Sequence, residues 1–398
     1  MSHFIPVAVT ALAVLVTATV HANDTVVVND SSSRAGPATA IDISRLGPVV
    51  NPLQPPSTAA VMPSTTAGPN PAGAMVRSGI VQDSGTRAFG SFGIPYTTTR
   101  VQDGNVSAGG TTDANHLSTT YPYRTAGKLT FSAGYCSATL IRRGVIVTAA
   151  HCIQRFGNGA NIFTGFQFRP GHYGAAGATA AQIAPYGTWN WAGLVRPASW
   201  ANGTDIGTGA ARDNDIAVIA LARQGNLFAG DLVGYLGYGW NNYSFVTSPK
   251  TGNQHTGAVS TLGYPFLMDS GAIMQRTDGP TYTTTLGGAG QLWQGSNLTG
   301  GSSGGGWIVN LQSRAATLAG GAVAGTASNV AVIGVTSWGS ADPNAAKDNW
   351  ASQFRQNTLY PNASYGVYGA GNIASLLNTL CGAAAPGGGT FASQGYCN

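Results

Sequence analysis

The chain has 398 residues, which is enough for one large domain with additional processed segments. Only 8% of its residues are charged and 57 are glycine, a composition that favours turns and short strands over long helices. All 14 acidic residues are aspartate, so any carboxylate chemistry must use Asp. The net charge of +5 comes mostly from scattered arginines, which argues against a nucleic-acid-binding surface.

The first predicted element is a leader at the N-terminus. Phe4 to Val20 form an apolar run that is shorter than the roughly 20 residues needed to span a bilayer. Small residues around Ala22 follow, as at a signal-peptide cleavage site. We therefore predict a signal peptide over residues 1–22, a secreted, extracellular protein, and no membrane association once the signal is removed. The alternative is a retained membrane anchor, because only the amino terminus and His3 supply positive charge before the run.

Residues 23–87 have the composition of a pro-like segment or linker. They are rich in Pro, Ala, Ser and Thr, and the six prolines from Pro52 to Pro71 prevent regular structure over much of the stretch. A segment of this kind, placed between a signal peptide and a folded domain, indicates a precursor that is processed.

From residue 88 onward, short apolar or alternating runs are separated by Gly, Asn and Asp, as in an antiparallel barrel. The first set of predicted strands comprises Lys128 to Phe131, Ser137 to Ile141, Val145 to Thr148 and Ile216 to Leu221. The second set comprises Gly257 to Tyr264, Gly271 to Gln275, Tyr282 to Thr285, Gly305 to Asn310 and Ala331 to Ser337. Together they predict one domain over residues 88–398, with barrels at about 88–225 and about 250–370.

A short helix is predicted at the end of this domain, at about residues 372–381. Ile373, Leu376, Leu377 and Leu380 recur at the spacing of one helical face, and Gly382 provides a stop.

The four cysteines occur as two local pairs, Cys136 with Cys152 and Cys381 with Cys397. No C-x-x-C motif is present that would indicate a zinc or redox site. Exported chains oxidise such pairs to disulfides. Three connectivities are possible, and the local one is favoured because each pair would close a loop of about sixteen residues, worth about 3 kcal/mol.

The candidate nucleophile is Ser303, in the glycine-rich segment Gly301–Gly305. Serine is a poor nucleophile at neutral pH and needs a base within hydrogen-bond reach and a group that orients this base. The segment also fits the G-x-S-x-G elbow of α/β-hydrolases, and by itself it could be a plain turn. In the elbow fold the histidine follows the serine, so an esterase of this kind would lack a base here. All histidines precede the serine: His3, His21, His116, His151, His172 and His255.

Four motifs carry a family resemblance. They are Thr148-Ala-Ala-His-Cys152, Asp215-Ile-Ala-Val218, Gly301-x-Ser-Gly-Gly305 and Gly334-Val-Thr-Ser-Trp-Gly339. In this order they resemble the chymotrypsin/trypsin-like serine peptidase family over about residues 88–380. The resemblance implies an all-β fold of two antiparallel six-stranded β-barrels with a short C-terminal helix. It also implies peptide-bond hydrolysis through an acyl-enzyme intermediate.

The resemblance assigns a role to each matching residue. His151 would be the general base and then the general acid, Asp215 would hold its imidazole in the required tautomer, and Ser303 would attack the scissile carbonyl. The backbone N–H groups of Gly301 and Ser303 would form the oxyanion hole. Asp215 is chosen over the neighbouring aspartates because it directly precedes the apolar run of a predicted strand.

Ser302 distinguishes the chain from trypsin itself. Trypsin-type members have an Asp before the nucleophile, which receives the ammonium group of a newly cut N-terminus. A neutral serine at this position, together with Leu262-Gly-Tyr-Pro265, is more similar to the bacterial glutamyl-endopeptidase-like branch. We therefore predict that activity does not require one defined N-terminus.

The residues that match the family's substrate cleft predict a neutral pocket. Counting back from the nucleophile without gaps puts Asn297 at the pocket floor, where Asp would select Arg or Lys. Thr336 stands where glutamate-selective relatives have a histidine, so acidic selectivity is not supported either. Ser337, Trp338 and Gly339 would pair with the substrate backbone. We expect a pocket, open at Gly339, that accepts apolar or small polar side chains.

The sequence thus predicts a secreted serine endopeptidase whose partner is a protein or peptide substrate. We expect it to act as a monomer, without a cofactor or a bound metal ion, and without nucleic-acid partners. The alternative is a catalytically weak relative that acts as a binding protein or adhesin. The presence of His151, Asp215 and Ser303 together favours the enzyme.

Overall fold

A computed structural model of the chain describes residues 24–28, 96–101, 117–208, 211–241, 246–247, 255–286, 288–311, 316–317, 323–324, 330–339 and 347–398. The predicted signal peptide and most of the predicted pro-like segment lie outside these ranges. No helix among the described residues is long and apolar enough to cross a membrane.

Strands are the main regular elements of the described residues. In chain order these are β1 (Asp24–Val28), β2 (Thr97–Arg100), β3 (Ala126–Phe131), β4 (Gly134–Arg142), β5 (Val145–Thr148), β6 (Gln167–Pro170), β7 (Trp189–Pro197), β8 (Gly207–Thr208), β9 (Ala211–Arg212), β10 (Ala217–Leu221), β11 (Gly237–Tyr238), β12 (Val246–Thr247), β13 (His255–Gly263), β14 (Gln275–Leu286), β15 (Ala289–Gly295), β16 (Gly306–Val309), β17 (Ala316–Thr317), β18 (Val323–Ala324), β19 (Ala331–Gly339) and β20 (Asp348–Gln353). The helices are α1 (Ala180–Ile183), α2 (Ala198–Asn202), α3 (Ala229–Val233) and α4 (Gly371–Gly382).

Two closed antiparallel barrels account for most of these strands. Barrel 1 has the strand order β3, β4, β5, β10, β7, β6, and it closes because β6 pairs with both β7 and β3. Barrel 2 has the order β13, β16, β19, β20, β15, β14, and it closes where β14 pairs with β13. The prediction of two six-stranded barrels followed by one C-terminal helix is therefore confirmed.

The apolar strands of barrel 1 are buried on both faces. On β10, Ile219 packs inside the barrel with residues such as Leu194, whereas Val218 packs on the outside against the cluster that includes Leu376 and Leu380 of α4. A strand covered on both faces needs apolar residues at consecutive positions, because the side chains alternate between the two faces. This explains why the run Ile216 to Leu221 lacks the alternation of a half-exposed strand.

Two local predictions differ from the structure. The strand predicted over Gly271 to Gln275 does not form at its first four positions, since Asp269–Gly271 make a short 3-10 turn in which Asp269 and Ser270 have positive φ angles. A backbone in this region cannot continue a strand, so β14 begins only at Gln275. In addition, Asp24–Val28, which the sequence places in the pro-like segment, forms β1 and pairs with β7.

Both disulfides join the local cysteine pairs. Cys136 in β4 is bonded to Cys152, and Cys381 in α4 is bonded to Cys397 near the C-terminus. The first bond lies next to the candidate catalytic residues, and the second fastens the C-terminal tail to the last helix.

Candidate active site

The candidate catalytic side chains come from both barrels. His151 lies in a 3-10 turn, Ala150–Cys152, directly after β5, and Asp215 lies two residues before β10. Ser303 lies in the loop before β16, and Ser337 lies within β19. Barrel 1 therefore provides the histidine and the aspartate, and barrel 2 provides the two serines.

Asp215 holds His151 through two hydrogen bonds. Its Oδ2 lies 2.6 Å from His151 Nδ1, and its Oδ1 accepts the backbone N–H of His151 at 2.8 Å. Ser337 Oγ donates a further hydrogen bond to Asp215 Oδ2 at 2.6 Å. The carboxylate is completely buried, whereas the imidazole is 32% exposed. With Nδ1 directed at the carboxylate, Nε2 is the ring nitrogen left to exchange a proton.

Two opposing effects act on the pKa of His151. Burial disfavours the charged imidazolium and lowers the pKa, while the charge of Asp215 and the hydrogen bond to it raise the pKa. The second effect wins, so the pKa of His151 is raised above its ordinary value. Asp215 therefore stabilises the protonated form that a general base must pass through.

Two other buried aspartates hold the loop that carries Asp215. Asp205 accepts hydrogen bonds from the backbone N–H and from Nδ2 of Asn214, each at 2.8 Å, and burial raises the pKa of its carboxyl to about 6. Asp213 accepts the backbone N–H of Gly290 at 2.9 Å and forms an ion pair with Arg355. Both carboxylates are used in fixing the backbone, as expected of residues that cap turns.

The Ser303 loop is held by its backbone. The carbonyl of Ser303 accepts the N–H of Ser137 at 2.8 Å, and the N–H of Gly304 donates to the carbonyl of Thr336 at 2.8 Å. Gly304 has a φ of +77°, and a Cβ at this position would lie 2.0 Å from Thr148 Oγ1. Only glycine allows the loop to approach the end of β5 this closely.

Gly301 is the second conformationally restricted position of this loop. Its φ is +95°, and a Cβ there would lie 2.5 Å from the carbonyl oxygen of Tyr264. Within the described residues, the backbone N–H groups of Gly301 and Ser303 have no protein acceptor, whereas the N–H of Ser302 donates to the carbonyl of Thr299. The two N–H groups are thus available to an oxygen atom of a ligand.

The disulfide between Cys136 and Cys152 joins the histidine turn to strand β4 of barrel 1, and β4 contacts the serine loop of barrel 2. Cys152 follows His151, and Cys136 precedes Ser137, whose N–H holds the carbonyl of Ser303. A hydrogen bond between Ser303 Oγ and His151 is not among those that the described residues form. Such bonds are often loose before a substrate is bound.

A cavity of about 400 Å³ lies beside Ser303. Thr336, Ser337, Trp338 and Gly339, which the sequence predicts as substrate-binding residues, line this cavity. The remaining lining residues are Phe266, Leu267, Leu298, Thr299, Gly300, Ser302 and Asn349, and none of the described residues around the cavity is ionisable.

Asn297 does not line this cavity. Its Oδ1 accepts a hydrogen bond from Thr98 Oγ1 at 2.6 Å, and the next residue, Leu298, lines the cavity instead. Counting back from Ser303 without gaps therefore gives Asn297, whereas the side chain that lines the cavity belongs to the next residue, Leu298.

Asn349 was not indicated by the sequence and partly fills the space beside Gly339. A Cβ at Gly339 would lie 2.2 Å from Asn349 Nδ2, and the two residues are paired between β19 and β20. The side chain of Asn349 is fixed by donating to the carbonyl of Leu298 at 3.0 Å. The cavity is therefore less open at Gly339 than the sequence predicts. Phe266 and Leu267, which follow the Leu262–Pro265 motif, are both strongly exposed beside it.

One group of potential metal ligands occurs near the site. Side-chain atoms of Cys136, His151 and Cys152 lie within 4.8 Å of one another. Both cysteines are in a disulfide and cannot act as thiolates, so this group does not form a metal site.

The chain is similar in sequence to known proteins. Residues 109–354 match the family model described as Trypsin. Among curated proteins, the glutamyl endopeptidase of Bacillus licheniformis is 28% identical over 159 residues, which are 40% of this chain and 42% of that protein. The chain thus spans less than half the length of this relative.

Three solved structures that resemble the chain are proteases. The protease Anisep from Arthrobacter nicotinovorans is 20% identical, with 58% of this chain and 91% of that chain covered and a TM-score of 0.43. The thermostable serine protease AL20 from an extremophilic microorganism is 24% identical, with 58% and 92% covered and a TM-score of 0.42. A Glu endopeptidase solved with MPD is 17% identical, with 65% and 91% covered and a TM-score of 0.43.

Proposed function

The chain belongs to the trypsin family of serine peptidases, and from this premise we propose that it is a secreted endopeptidase acting through Ser303, His151 and Asp215. The family makes it a serine endopeptidase, whose substrates are proteins or peptides. The catalytic residues, the reaction course, the selectivity and the secretion are the parts that we propose. One observation carries the assignment of residues: a buried carboxylate holds a partly exposed imidazole through two hydrogen bonds, next to a glycine-fixed serine loop.

In the proposed first step, Ser303 Oγ attacks the scissile carbonyl carbon while its proton moves to His151 Nε2. The carbonyl oxygen becomes an oxyanion that the N–H groups of Gly301 and Ser303 stabilise. The C–N bond then breaks, His151 gives its proton to the leaving amine, and an acyl-enzyme remains. Support comes from Asp215, whose charge favours the imidazolium formed in this step.

In the proposed second step, water replaces the departed amine. His151 Nε2 takes a proton from this water as its oxygen attacks the acyl carbon, and a second oxyanion forms in the same place. When the C–O bond to Ser303 breaks, the proton returns to the serine oxygen and the product acid leaves. No group other than the protein's own side chains and water is required for the proton balance.

A fluorophosphonate probe tests the assignment of the nucleophile. We expect the probe to label the wild-type protein and the Ser302→Ala variant, but not Ser303→Ala. Ser302 is a matched control, since its Oγ donates to the carbonyl of Thr299 at 2.6 Å and is therefore occupied. No labelling of the wild type would support the alternative of a catalytically weak binding protein or adhesin, and labelling of Ser303→Ala would show that the nucleophile is another residue.

We further propose that the pocket selects apolar or small polar side chains. Leu298, Thr336 and Trp338 line it, and none of its described residues carries a charge that could pair with Arg, Lys or Glu. We therefore do not expect this chain to select glutamate, although one of its relatives is named a glutamyl endopeptidase. A peptide panel with varied residues before the scissile bond checks this: strict cleavage after a charged residue would contradict the proposal.

Secretion and maturation are proposed from the leader and the disulfides. Two disulfides fit an oxidising compartment, and the apolar run Phe4 to Val20 fits a signal peptide. Because Ser302 is neutral and bound within its own loop, we propose that activation does not use an ion pair with a new N-terminus. Mass spectrometry of the secreted protein, combined with activity of N-terminally extended forms, tests both points.

A further inference from the structure

The N-terminal strand β1 pairs with the part of β7 that extends beyond β6. Along β7, the first residues pair with β6 and the middle residues pair with β10, but the edge from Gly193 to Pro197 lies beyond the reach of β6. Residues Asp24–Val28 pair antiparallel with this free edge over all five positions. The strand therefore supplies hydrogen-bond partners that the barrel does not provide itself.

The side chains of β1 are anchored on both faces. Val26 and Val28 pack against the cluster that contains the apolar face of α4, and Val27 packs against the interior of barrel 1. Gly193 on β7, which pairs with Val28, leaves room for the ring of Phe391, because a Cβ there would lie 2.6 Å from this ring. The groove between β7 and α4 thus matches an extended chain with β-branched residues.

A set of hydroxyl groups binds the carboxylate at the start of β1. Tyr360 donates to Asp24 Oδ1 at 2.9 Å, and Ser375 and Thr379 each donate to Asp24 Oδ2 at 2.7 Å. Tyr360 and Ser375 are completely buried. Burial, with the charge of Asp24, raises the pKa of Tyr360 well above its ordinary value, so its hydroxyl keeps the proton that it donates. Hydrogen bonds to a charged acceptor are stronger than neutral ones.

We propose that the groove between β7 and α4 is a binding site for an extended peptide that begins with Asp and continues with β-branched residues. Its ligand is the chain's own segment 24–28, which stays bound as a separate peptide when the connection over residues 29–95 is cut. The next described residue along the chain, Tyr96, leads into β2, which pairs with β14 of barrel 2. The described contacts that attach the strand to barrel 1 are those of residues 24–28 themselves.

The proposal is independent of the catalytic assignment and can be tested in an inactive protein. A recognition sequence for a sequence-specific protease is inserted between Ser57 and Thr58 of the full chain carrying Ser303→Ala, which prevents self-cleavage. After the cut, size-exclusion chromatography and mass spectrometry under native conditions show whether the N-terminal fragment remains bound. A fluorescein-labelled peptide of residues 23–30 is then added to measure exchange with the bound fragment.

We expect the fragment to co-elute with the rest of the protein in a one-to-one complex. With Asp24→Asn, the fragment should dissociate about tenfold more readily or worse, because a neutral amide loses the charge-assisted hydrogen bonds. Asp231→Asn is the matched control: it removes the carboxylate that pairs with Arg143 and leaves β1 untouched, so it should retain the fragment.

Three results would overturn the proposal. The wild-type fragment could separate on cutting, which would show that the groove does not hold the strand by itself. Asp24→Asn could retain the fragment as well as the wild type, which would remove the carboxylate from recognition. A dimer in which two copies exchange their N-terminal strands would show that the ligand comes from a second copy and not from the same chain.

Discussion

Barrel 1 holds His151 and Asp215 through side-chain hydrogen bonds, whereas barrel 2 holds Ser303 through backbone hydrogen bonds and glycine conformations. In barrel 1, the orientation of the His151 imidazole depends on the carboxylate of Asp215 and on its charge. In barrel 2, the conformation of the Ser303 loop depends on the absence of a Cβ at Gly301 and Gly304. Mutations in barrel 1 should therefore reduce activity with little change in the fold, whereas mutations of the glycines in barrel 2 should reduce both activity and thermal stability.

The largest loss of activity is expected for Asp215→Asn. An amide can donate to His151 Nδ1 and so favour the tautomer with the proton on Nε2, which then cannot act as a base. We expect kcat/KM to fall about 10⁴-fold with little change in the fold, which is the size of this effect in a chymotrypsin-type triad. Steady-state kinetics and circular dichroism check this. Asp213→Asn serves as a comparison, and an equal loss there would mean that both aspartates act only on the loop.

The second prediction concerns the backbone of barrel 2. Gly304→Ala places a methyl group 2.0 Å from Thr148 Oγ1 in a residue with a φ of +77°. We expect about a 100-fold loss of kcat and a lower melting temperature, since strain of this kind costs about 1–3 kcal/mol before the clash is counted. Gly300→Ala is the control, because its Cβ would meet no atom within 4 Å. Equal melting temperatures for the two variants would contradict the role given to the glycine.

A smaller loss is expected for Ser337→Ala. Ser337 is the residue of barrel 2 that donates to the carboxylate of Asp215, so it couples the two halves. Removing this donor from a buried carboxylate should reduce kcat/KM about tenfold, in line with the cost of a lost hydrogen bond to a charged group. Ser337→Thr keeps the hydroxyl and should recover part of the activity. No difference between the two variants would argue for a packing role alone.

The smallest effect is a shift of the pH profile. The proposed mechanism requires neutral His151, whose pKa is raised, so we expect kcat/KM to rise with pH through a midpoint above the ordinary value for histidine. The residual activity of Asp215→Asn should have a lower midpoint, because burial then acts without the opposing charge.

A raised pKa of His151 in the folded state also means that the stability due to protonation of His151 is present at low pH. This contribution is lost as the pH rises through the folded pKa, and thermal melts across this range would detect it.

Much of the fold and the core of the candidate site could be predicted because the relevant signals are local in sequence. An uninterrupted apolar run such as Ile216 to Leu221 predicts a buried strand, and short motifs mark His151 and Ser303 within a few residues each. The start of the strand predicted at Gly271 to Gln275 was wrong because the preceding turn uses positive φ angles, which the residue types Asp269 and Ser270 do not indicate.

The pocket and the N-terminal strand could not be predicted because they depend on contacts distant in sequence. Asn349 reaches Gly339 only through the pairing of β19 with β20. The ungapped count that gives Asn297 does not indicate which side chain of a loop faces the cavity, and Leu298 lines it. Asp24 finds its hydroxyl partners on residues close to the C-terminus, and no sequence pattern connects these two ends of the chain.

The disulfide between Cys136 and Cys152 has a consequence for where this enzyme can work. Because it ties the histidine turn to the strand that holds the serine loop, reduction should loosen catalytic geometry and not only lower stability. In a reducing cytosol the same chain would lack this tie. We therefore expect full catalytic competence to be gained only in an oxidising compartment, which would protect the producing cell from its own protease.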